Sequence, residues 1–287
     1  VSNLLRRGVE RVAAYVQENG FTVILCVHVF AAMMLTEAQK RFGLTVPFHF
    51  LATDYTCSPG VNGLSAQTWF VPAADLLSEF VACGISREKL LATGIPVKRA
   101  FYDPTERAEA RRRLGLPEDK RILLLCCGSM GCGHIEKEVP LLDRRMPPQV
   151  LTVVVCGNNR ALYEKLTKTP VDGVQVVGFT QEMPLYMAAA DICVTKPGGL
   201  TCTELLVSEC PAVLLLAVPG CESRNLDYFS RTSGTPGAAD WSSALNKALA
   251  LLEEPERLRK LTGRLAAGRI AVPAAVAMTE RLLADGE

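Results

Sequence analysis

The sequence lacks an excess of charge of either sign and lacks long apolar runs. Its 287 residues carry 31 Lys and Arg against 30 Asp and Glu, a formal net charge of +1. Such a balance provides no global field for nucleic acid or an acidic polymer, so any anion must be held locally. The longest apolar runs, at 122–127 and 212–218, fall far below the roughly 20 residues that cross a bilayer. We therefore predict no nucleic-acid partner and no transmembrane segment.

The 11 cysteines lack the paired CxxC spacing of a zinc site. Their number is odd and most lie in apolar runs, which is typical of reduced core cysteines in a cytosolic protein. Cys126, Cys127, Cys132 and His134 lie close together in the sequence, but small buried residues around a glycine turn explain the run and no second ligand cluster accompanies it. We predict a cytoplasmic protein without a bound metal.

Short apolar runs of strand length alternate with helical patterns along most of the chain. This alternation is the signature of βαβ units and of a parallel sheet covered on both faces, so the predicted class is α/β. The predicted strands lie at 22–27, 46–52, 122–126, 151–156, 174–177, 192–195 and 213–217.

Prolines and a glycine interrupt this pattern at 94–104, before a charged helix at 106–114. We place a domain boundary there, between 1–98 and 99–287. The second part has about five βα units and C-terminal helices, enough for a complete doubly wound domain, whereas the first has two or three. We therefore expect an N-terminal domain that lacks its opening strands.

Three glycine-containing loops of the second part follow predicted strands, where open α/β sheets bind ligands. The first contains Gly128, Ser129, Met130 and Gly131, after the strand at 122–126. Its glycines allow backbone N–H groups to approach a phosphate closely, and Ser129 adds a hydroxyl donor. A tight turn without a ligand is the alternative.

The second loop contains Gly198, Gly199, Leu200 and Thr201, after the strand at 192–195. Its glycines expose the first amides of the following helix, whose dipole also favours a phosphate. One turn further, Glu204 can accept hydrogen bonds from two neighbouring ribose hydroxyls. The alternative is a capping box, with Thr201 as the N-cap and Glu204 at the third helical position.

The third loop follows the strand at 213–217. Its carboxylate and amide lie three residues apart at a helix start and can hydrogen-bond adjacent hydroxyls of a hexose, although a capped helix end is the alternative. Its residues are Pro219, Gly220, Cys221, Glu222 and Asn225. Gly178 and Phe179 follow the strand at 174–177, where backbone groups could read a base edge while the aromatic ring packs beside it.

Four motifs occur in one order along nearly the whole chain: TGIPV at 93–97, VGFT at 177–180, TKPGGLT at 195–201 with Glu204, and PGxE at 219–222 with Asn225. Together they resemble the monogalactosyldiacylglycerol synthase and processive diacylglycerol glucosyltransferase family, which is related to the transferase that glycosylates lipid I. The resemblance implies a GT-B fold of two Rossmann-like domains that face a cleft. It implies a UDP-sugar donor in the C-terminal domain and a lipid acceptor in the N-terminal one.

By position in these motifs, the resemblance assigns roles to individual residues. Gly178 and Phe179 would lie at the uracil and Glu204 at the ribose. The loops at 198–201 and 129–131 would hold the diphosphate, and Glu222 with Asn225 the sugar. Such enzymes use no bound metal or other cofactor, since helix amides stabilise the leaving UDP. Cys221 stands where the family usually has Gln, which leaves the donor sugar open.

Two residues after strands are the candidate catalytic groups of the first domain. Asp54 lies in a TDY run that resembles a family motif. His28 follows the strand at 22–27, although a histidine that only completes a turn is the alternative. Members of the family begin with a strand and a glycine-rich loop that contains a histidine, and the resemblance implies that this loop would precede Val1.

The predicted function is inverting hexose transfer from a UDP-sugar to a lipid such as diacylglycerol, by an enzyme peripheral to the cytoplasmic face of the membrane. Three alternatives remain open at this point. One is an incomplete donor-binding subunit that needs a partner for the acceptor half. The others are a lipid-linked N-acetylglucosaminyltransferase and a UDP-N-acetylglucosamine epimerase of the same architecture, the last disfavoured by the KPGGLT and PGxE runs.

Overall fold

The computed structural model describes residues 3–103, 105–126, 135–215, 219–270 and 272–286. It divides the chain into two compact units. Unit 1 consists of Val1–Val97 with Ile270–Glu287, and unit 2 consists of Lys98–Arg269.

Ten strands form the two sheets in the part of the chain that the structure describes. In chain order they are β1 Ile24–Cys26, β2 Phe48–Leu51, β3 Trp69–Val71, β4 Leu90–Ala92, β5 Arg121–Cys126, β6 Val150–Val155, β7 Val174–Val177, β8 Ile192–Thr195, β9 Ala212–Leu215 and β10 Gly237–Ala238.

Helices connect and cover these strands. In chain order they are α1 Asn3–Asn19, α2 Val29–Phe42, α3 Leu77–Ala82, α4 Arg99–Tyr102, α5 Arg107–Leu114, α6 Leu142–Arg145, α7 Arg160–Lys168, α8 Met183–Ala189, α9 Gly199–Val207, α10 Cys221–Thr232, α11 Trp241–Glu253, α12 Pro255–Gly268 and α13 Ala274–Gly286. Short 3₁₀ turns lie at Ala74–Leu76, Arg87–Lys89, Ile135–Lys137 and Val139–Leu141.

Unit 1 contains a four-stranded sheet in the order β1-β2-β3-β4, with every adjacent pair parallel. Its β2 and β3 are buried at every position, which agrees with a parallel sheet covered on both faces. Their aromatic side chains fill the interior: Phe48 and Phe70 are fully buried, and the rings of Phe50 and Trp69 lie 4.7 Å apart. The sequence pattern did not predict β3 or β4, each only three residues long.

Unit 2 contains a six-stranded parallel sheet in the order β10-β9-β8-β5-β6-β7. The chain therefore proceeds from β5 outward to β7, returns to β8 beside β5, and proceeds outward again to β10. This is the doubly wound arrangement, and its switch point lies between β5 and β8. Apolar residues of β5, β6 and β8 pack with α11 in one buried cluster that includes Leu123, Val154, Ile192, Leu245 and Ala248.

The structure divides the chain after Val97, next to the predicted boundary at residue 98, but it does not keep 99–287 in one unit. Ile270–Glu287 belongs to unit 1. On α13, Met278 packs in a buried cluster with Leu51 and Phe70 of the first sheet. Arg281 Nε also donates to Thr68 Oγ1 at 3.2 Å. The sequence showed a helix here, but its apolar spacing did not indicate which sheet it covers.

The cysteines that the structure describes are free thiols, and most are buried. Burial raises the pKa of the Cys26 and Cys156 thiols to about 11, so these side chains behave as small apolar groups. Within the described residues, no group of three or more His, Cys, Asp and Glu side chains could hold a metal ion. Cys127, Cys132 and His134 lie outside that part of the chain. No described helix is long and apolar enough to cross a membrane.

Candidate functional site

The candidate site lies at the carboxyl ends of the unit 2 strands, beside the switch point. The switch point lies between β5 and β8, and doubly wound folds bind ligands in the crevice outside the carboxyl ends of the strands at such a point. Cys126 ends β5 and Thr195 ends β8. The first predicted phosphate loop, with Ser129, Met130 and Gly131, lies outside the described residues. The second predicted phosphate loop follows β8 and leads into α9.

Helix α9 begins at Gly199. Gly198 is its N-cap and makes no side-chain capping hydrogen bond. The first intrahelical bond runs from Cys202 N to Gly198 O at 2.8 Å. Thr201 is therefore the third helical residue rather than the N-cap, so the alternative capping box with Glu204 is not formed. The amides of Gly199, Leu200 and Thr201 precede that first bond and point out of the helix end, as an anion site requires.

Asn225 holds the loop in front of α9. Its side chain is fully buried, and its Nδ2 donates to the carbonyl oxygen of Pro197 at 2.9 Å. The bond joins α10 to the turn that positions the first amides of α9. This contact gives Asn225 a positioning role in the structure, and the sugar contact that the resemblance implies for it stays a prediction.

We expect Asn225→Ala to lower the free energy of unfolding by about 1–3 kcal/mol, because the Pro197 carbonyl would lose a buried hydrogen-bond partner. Urea unfolding of the purified protein measures this change. Asp227→Ala alters an exposed residue of the same helix and should stay within about 0.5 kcal/mol of the unmodified protein. Equal losses in both variants would contradict the role given to Asn225.

A cavity of about 450 Å³ lies in front of α9 and entirely within unit 2. Four predicted site residues line it, namely Phe179, which follows β7, and Leu200, Thr201 and Glu204 of α9. Further lining comes from α4, from the ends of β5 and β6, and from α8: Lys98, Phe101, Cys126, Val155, Gly157, Thr180, Gln181, Met183, Pro184 and Met187. The structure thus brings the predicted base and ribose positions to one cavity.

Glu204 is the main ionisable group of this cavity. Burial raises the pKa of its carboxyl to about 7, and the nearby Lys98 ammonium opposes that rise. The carboxyl lies one turn into α9, where burial keeps water away from it, and the exposed Lys98 ammonium lies nearby. Near neutral pH the group therefore changes charge easily, and ligand hydroxyls that hydrogen-bond to the carboxylate would favour the ionised form.

Gly178 and Phe179 lie where β7 ends. A Cβ at Gly178 would meet the ring of Tyr163 at 3.6 Å, so the glycine backbone lies close to an aromatic ring of α7. Phe179 is 64% exposed although it is a large apolar side chain. Thr180 Oγ1 accepts from Glu182 N at 3.0 Å and shapes the turn into α8. An exposed ring at the rim of a cavity suits stacking against a flat base.

The loop after β9 starts α10 with an unusual backbone. Gly220 has φ 124° and is the N-cap, and its N–H donates to Ser223 Oγ at 3.2 Å. Glu222 Oε2 is buried and has no hydrogen-bond partner among the described residues. A buried carboxylate oxygen without a donor suits a ligand hydroxyl. Pro219 is exposed and Cys221 is half-buried, and neither they nor Glu222 are among the residues that line the cavity.

His28 and Asp54 lie in unit 1, after the adjacent parallel strands β1 and β2. His28 is the N-cap of α2, where its Nδ1 accepts from Phe30 N at 3.3 Å. The contact corresponds to the alternative named from the sequence, in which the histidine completes a turn. Asp54 is half-buried. Glu79 braces the segment after it, since its Oε1 accepts from Thr56 Oγ1 at 2.6 Å and from Cys57 N at 2.8 Å.

Sequence reasoning missed several residues of the cavity, and Lys98 is the most important of them. Lys98 directly follows the TGIPV run at 93–97, which is one of the motifs behind the family resemblance. That motif could therefore have drawn attention to the next residue. Gln181 and Met183 follow the VGFT run in the same way. Phe101 gave no signal, because an aromatic residue in a four-residue helix has no periodic pattern to mark it.

Two regions of the chain match protein-family models. Residues 1–97 match the family model of monogalactosyldiacylglycerol (MGDG) synthase, and residues 122–220 match the glycosyltransferase family 28 C-terminal domain. A processive diacylglycerol beta-glucosyltransferase of Staphylococcus saprophyticus is 29% identical over 252 residues, which cover 84% of this chain. The matched region spans 62% of that relative's length. The resemblance stated from the motifs is thereby confirmed.

Two solved structures show the fold. MurG of Acinetobacter baumannii has a TM-score of 0.68 at 14% identity, covering 98% of this chain and 78% of MurG. The Anabaena protein Alr3699/HepE, solved in complex with UDP, has a TM-score of 0.64 at 16% identity, covering 96% of this chain and 82% of that protein. The predicted GT-B fold class is confirmed.

Proposed function

We propose that the chain transfers a hexose from a UDP-sugar to a lipid acceptor such as diacylglycerol. The proposal follows from the two family matches, to MGDG synthase at 1–97 and to the glycosyltransferase family 28 C-terminal domain at 122–220. The observation that carries the proposal is the cavity in front of α9, with its uncapped helix start and Glu204 in the wall. The printed name of the Staphylococcus relative supports the lipid acceptor. The UDP complex of the Anabaena protein supports the donor.

In this proposal three parts of unit 2 bind the UDP-sugar donor. The base stacks on Phe179, the ribose hydroxyls donate to Glu204, and the diphosphate accepts from the amides at 199–201. Helix amides and the α9 dipole stabilise the charge that develops on UDP, so the reaction needs no metal. Glu222 Oε2, which is buried without a partner among the described residues, accepts from a sugar hydroxyl.

The reaction is an inverting displacement. The acceptor oxygen forms a bond to the anomeric carbon as the bond from that carbon to the diphosphate oxygen breaks, and the electron pair of the broken bond leaves with UDP. The acceptor proton passes to a base of unit 1, for which Asp54 and His28 are the candidates. The enzyme works on the cytoplasmic face of the membrane, where its lipid acceptor is presented.

Radiolabelled hexose transfer to diacylglycerol vesicles tests the proposal. UDP-glucose and UDP-galactose are supplied separately, and labelled glycolipid is extracted and counted. Labelled lipid from either donor supports the proposal. If the full-length protein binds UDP but forms no labelled lipid, the chain is a donor-binding subunit that needs a partner for the acceptor half. Absence of both binding and transfer contradicts the proposal.

Lys98→Met should move the pH dependence of UDP binding to higher pH. The Lys98 ammonium opposes the rise in the Glu204 pKa, so its loss allows burial to raise that pKa further above 7. Calorimetric titration with UDP at a series of pH values measures the midpoint. Lys165→Met, an exposed lysine of α7, serves as the control and should leave the midpoint in place. An unmoved midpoint in Lys98→Met would contradict the coupling.

A further inference from the structure

A second cavity of unit 2, which we call the α12 pocket, lies against helix α12 and has a volume of about 370 Å³. Three basic side chains of the helix line it, namely Arg257, Lys260 and Arg264, and Ser233 and Gly234 form part of the opposite wall. No Asp or Glu is among its lining residues. Three cations therefore converge on a cavity in a chain whose formal net charge is only +1.

The helix geometry brings these cations together. Positions 257, 260 and 264 are separated by three and four residues, which places their side chains on one face of α12. Arg257 pairs with Glu254 at 3.5 Å, and both side chains are more than half exposed, so that pair is weak. The described part of the chain contains no ion pair for Lys260 or Arg264. The positive charge of the pocket is therefore largely uncompensated.

The opposite wall is fixed by its own hydrogen bonds. Ser233 Oγ donates to Phe229 O at 2.7 Å and lies 2.7 Å from Thr235 Oγ1. Gly234 has φ +76°, and a Cβ there would lie 2.5 Å from Arg264 Nη1. The glycine thus permits the guanidinium to lie directly against the turn. Arg264 is exposed, and the planar donor fork of a guanidinium in this position is suited to the oxygens of a phosphate group.

The α12 pocket is separate from the donor cavity. Its residues Ser233, Gly234 and Pro236 precede β10, at the amino ends of the parallel strands, whereas the donor cavity lies at the carboxyl ends. The two cavities share no lining residue. A ligand of the α12 pocket is consequently additional to the UDP-sugar.

We propose that the α12 pocket is a second anion site, which binds a phosphate group through Arg257, Lys260 and Arg264. Such a group is carried by inorganic phosphate and by the headgroup of an anionic phospholipid, and the recognition chemistry is the same for both. Leu251 and Leu261 also line the pocket and offer apolar contacts to the carbon atoms of a headgroup. The site does not depend on the proposed transfer reaction.

The experiment compares the intact chain with a variant that carries Arg257→Gln, Lys260→Gln and Arg264→Gln. Inorganic phosphate is titrated by calorimetry, and the amide signal of Gly234 is followed by NMR. We expect the variant to bind phosphate about tenfold or more weakly, and the Gly234 signal to shift only in the intact chain. The variant keeps the donor cavity, so phosphate bound there contributes equally to both proteins.

A control variant removes the same charge elsewhere in unit 2, through Arg113→Gln, Lys165→Gln and Lys168→Gln, which are exposed. Sedimentation with phosphatidylglycerol or phosphatidylcholine vesicles forms the second arm. Loss of phosphate binding and of phosphatidylglycerol binding in the pocket variant alone assigns the site to a lipid headgroup. Loss of phosphate binding alone assigns it to a free phosphate. Equal losses in the control variant, or an unshifted Gly234 signal, overturn the proposal.

Discussion

Glu204→Ala is expected to weaken UDP binding by about 100-fold, because two hydrogen bonds from ribose hydroxyls to a carboxylate are lost together. The carboxyl lies in the wall of the cavity in front of α9. Calorimetric titration with UDP measures the loss. Glu164→Ala removes an exposed carboxyl of α7 that pairs only with Arg160 among the described contacts, and it should leave UDP affinity unchanged. If Glu204→Ala binds UDP as tightly as the unmodified protein, Glu204 does not bind the ribose.

Because of the Glu204 carboxyl, we expect the affinity for UDP and the free energy of unfolding to change with pH in opposite directions. Its folded pKa of about 7 lies above the ordinary value of 4.5. The raised pKa therefore contributes stability below about pH 4.5, and this contribution is lost as the pH rises through about 7. If the ribose hydroxyls donate to Glu204 as proposed, UDP favours the ionised carboxylate, and its affinity should increase over that upper range. Glu204→Gln should abolish the pH dependence and stabilise the ligand-free protein at about pH 8.

Asp191→Ala is expected to destabilise the protein by about 3–5 kcal/mol, because it breaks a buried ion pair and leaves a buried cation uncompensated. The Asp191 side chain is 2% exposed and lies 2.8 Å from Arg111 Nη2, whose side chain is 9% exposed. Asp191 Oδ2 also accepts from Ile122 N at 2.7 Å. One carboxylate thereby joins α5 to the start of β5, the central strand at the switch point.

Urea unfolding with fixed pH and salt measures the effect of Asp191→Ala. Arg107 and Arg121 also approach the Asp191 carboxylate, at 3.2 and 3.4 Å, but their side chains are about half exposed and can be solvated by water. The cost therefore arises mainly from Arg111. Glu256→Ala removes an exposed partner of Arg259 and should cost under about 0.5 kcal/mol. A loss below about 1 kcal/mol in Asp191→Ala would show that water reaches Arg111.

The sequence predicted the second sheet better than the first, for a physical reason. In unit 2 the strands β5 to β9 are runs of four to six mostly apolar residues, and β7 and β8 lie at the predicted positions. The sequence pattern did not predict β10, which has only two residues. In unit 1, β3 and β4 have three residues each, too few for a period to be recognised. The return of α13 to unit 1 depends on contacts with Leu51 and Phe70, which no local pattern encodes.

The candidate site was predictable where one continuous loop carries it. Glycines after a strand and before a helix indicated the start of α9, and Glu204 followed at one helical turn. Lys98 was missed because it reaches the cavity from another part of the chain, and only the folded unit brings it near Glu204. The roles of Ser129, Met130 and Gly131 stay predictions, as do the catalytic roles of His28 and Asp54.

The central claim is that the start of α9 binds the diphosphate of a UDP-sugar while Glu204 binds its ribose. A crystal structure of the protein with UDP tests it most directly. We predict diphosphate oxygens within hydrogen-bond distance of the amides at 199–201, both ribose hydroxyls on Glu204, and the base against Phe179. UDP bound away from α9, or a ribose that makes no contact with Glu204, would contradict the account.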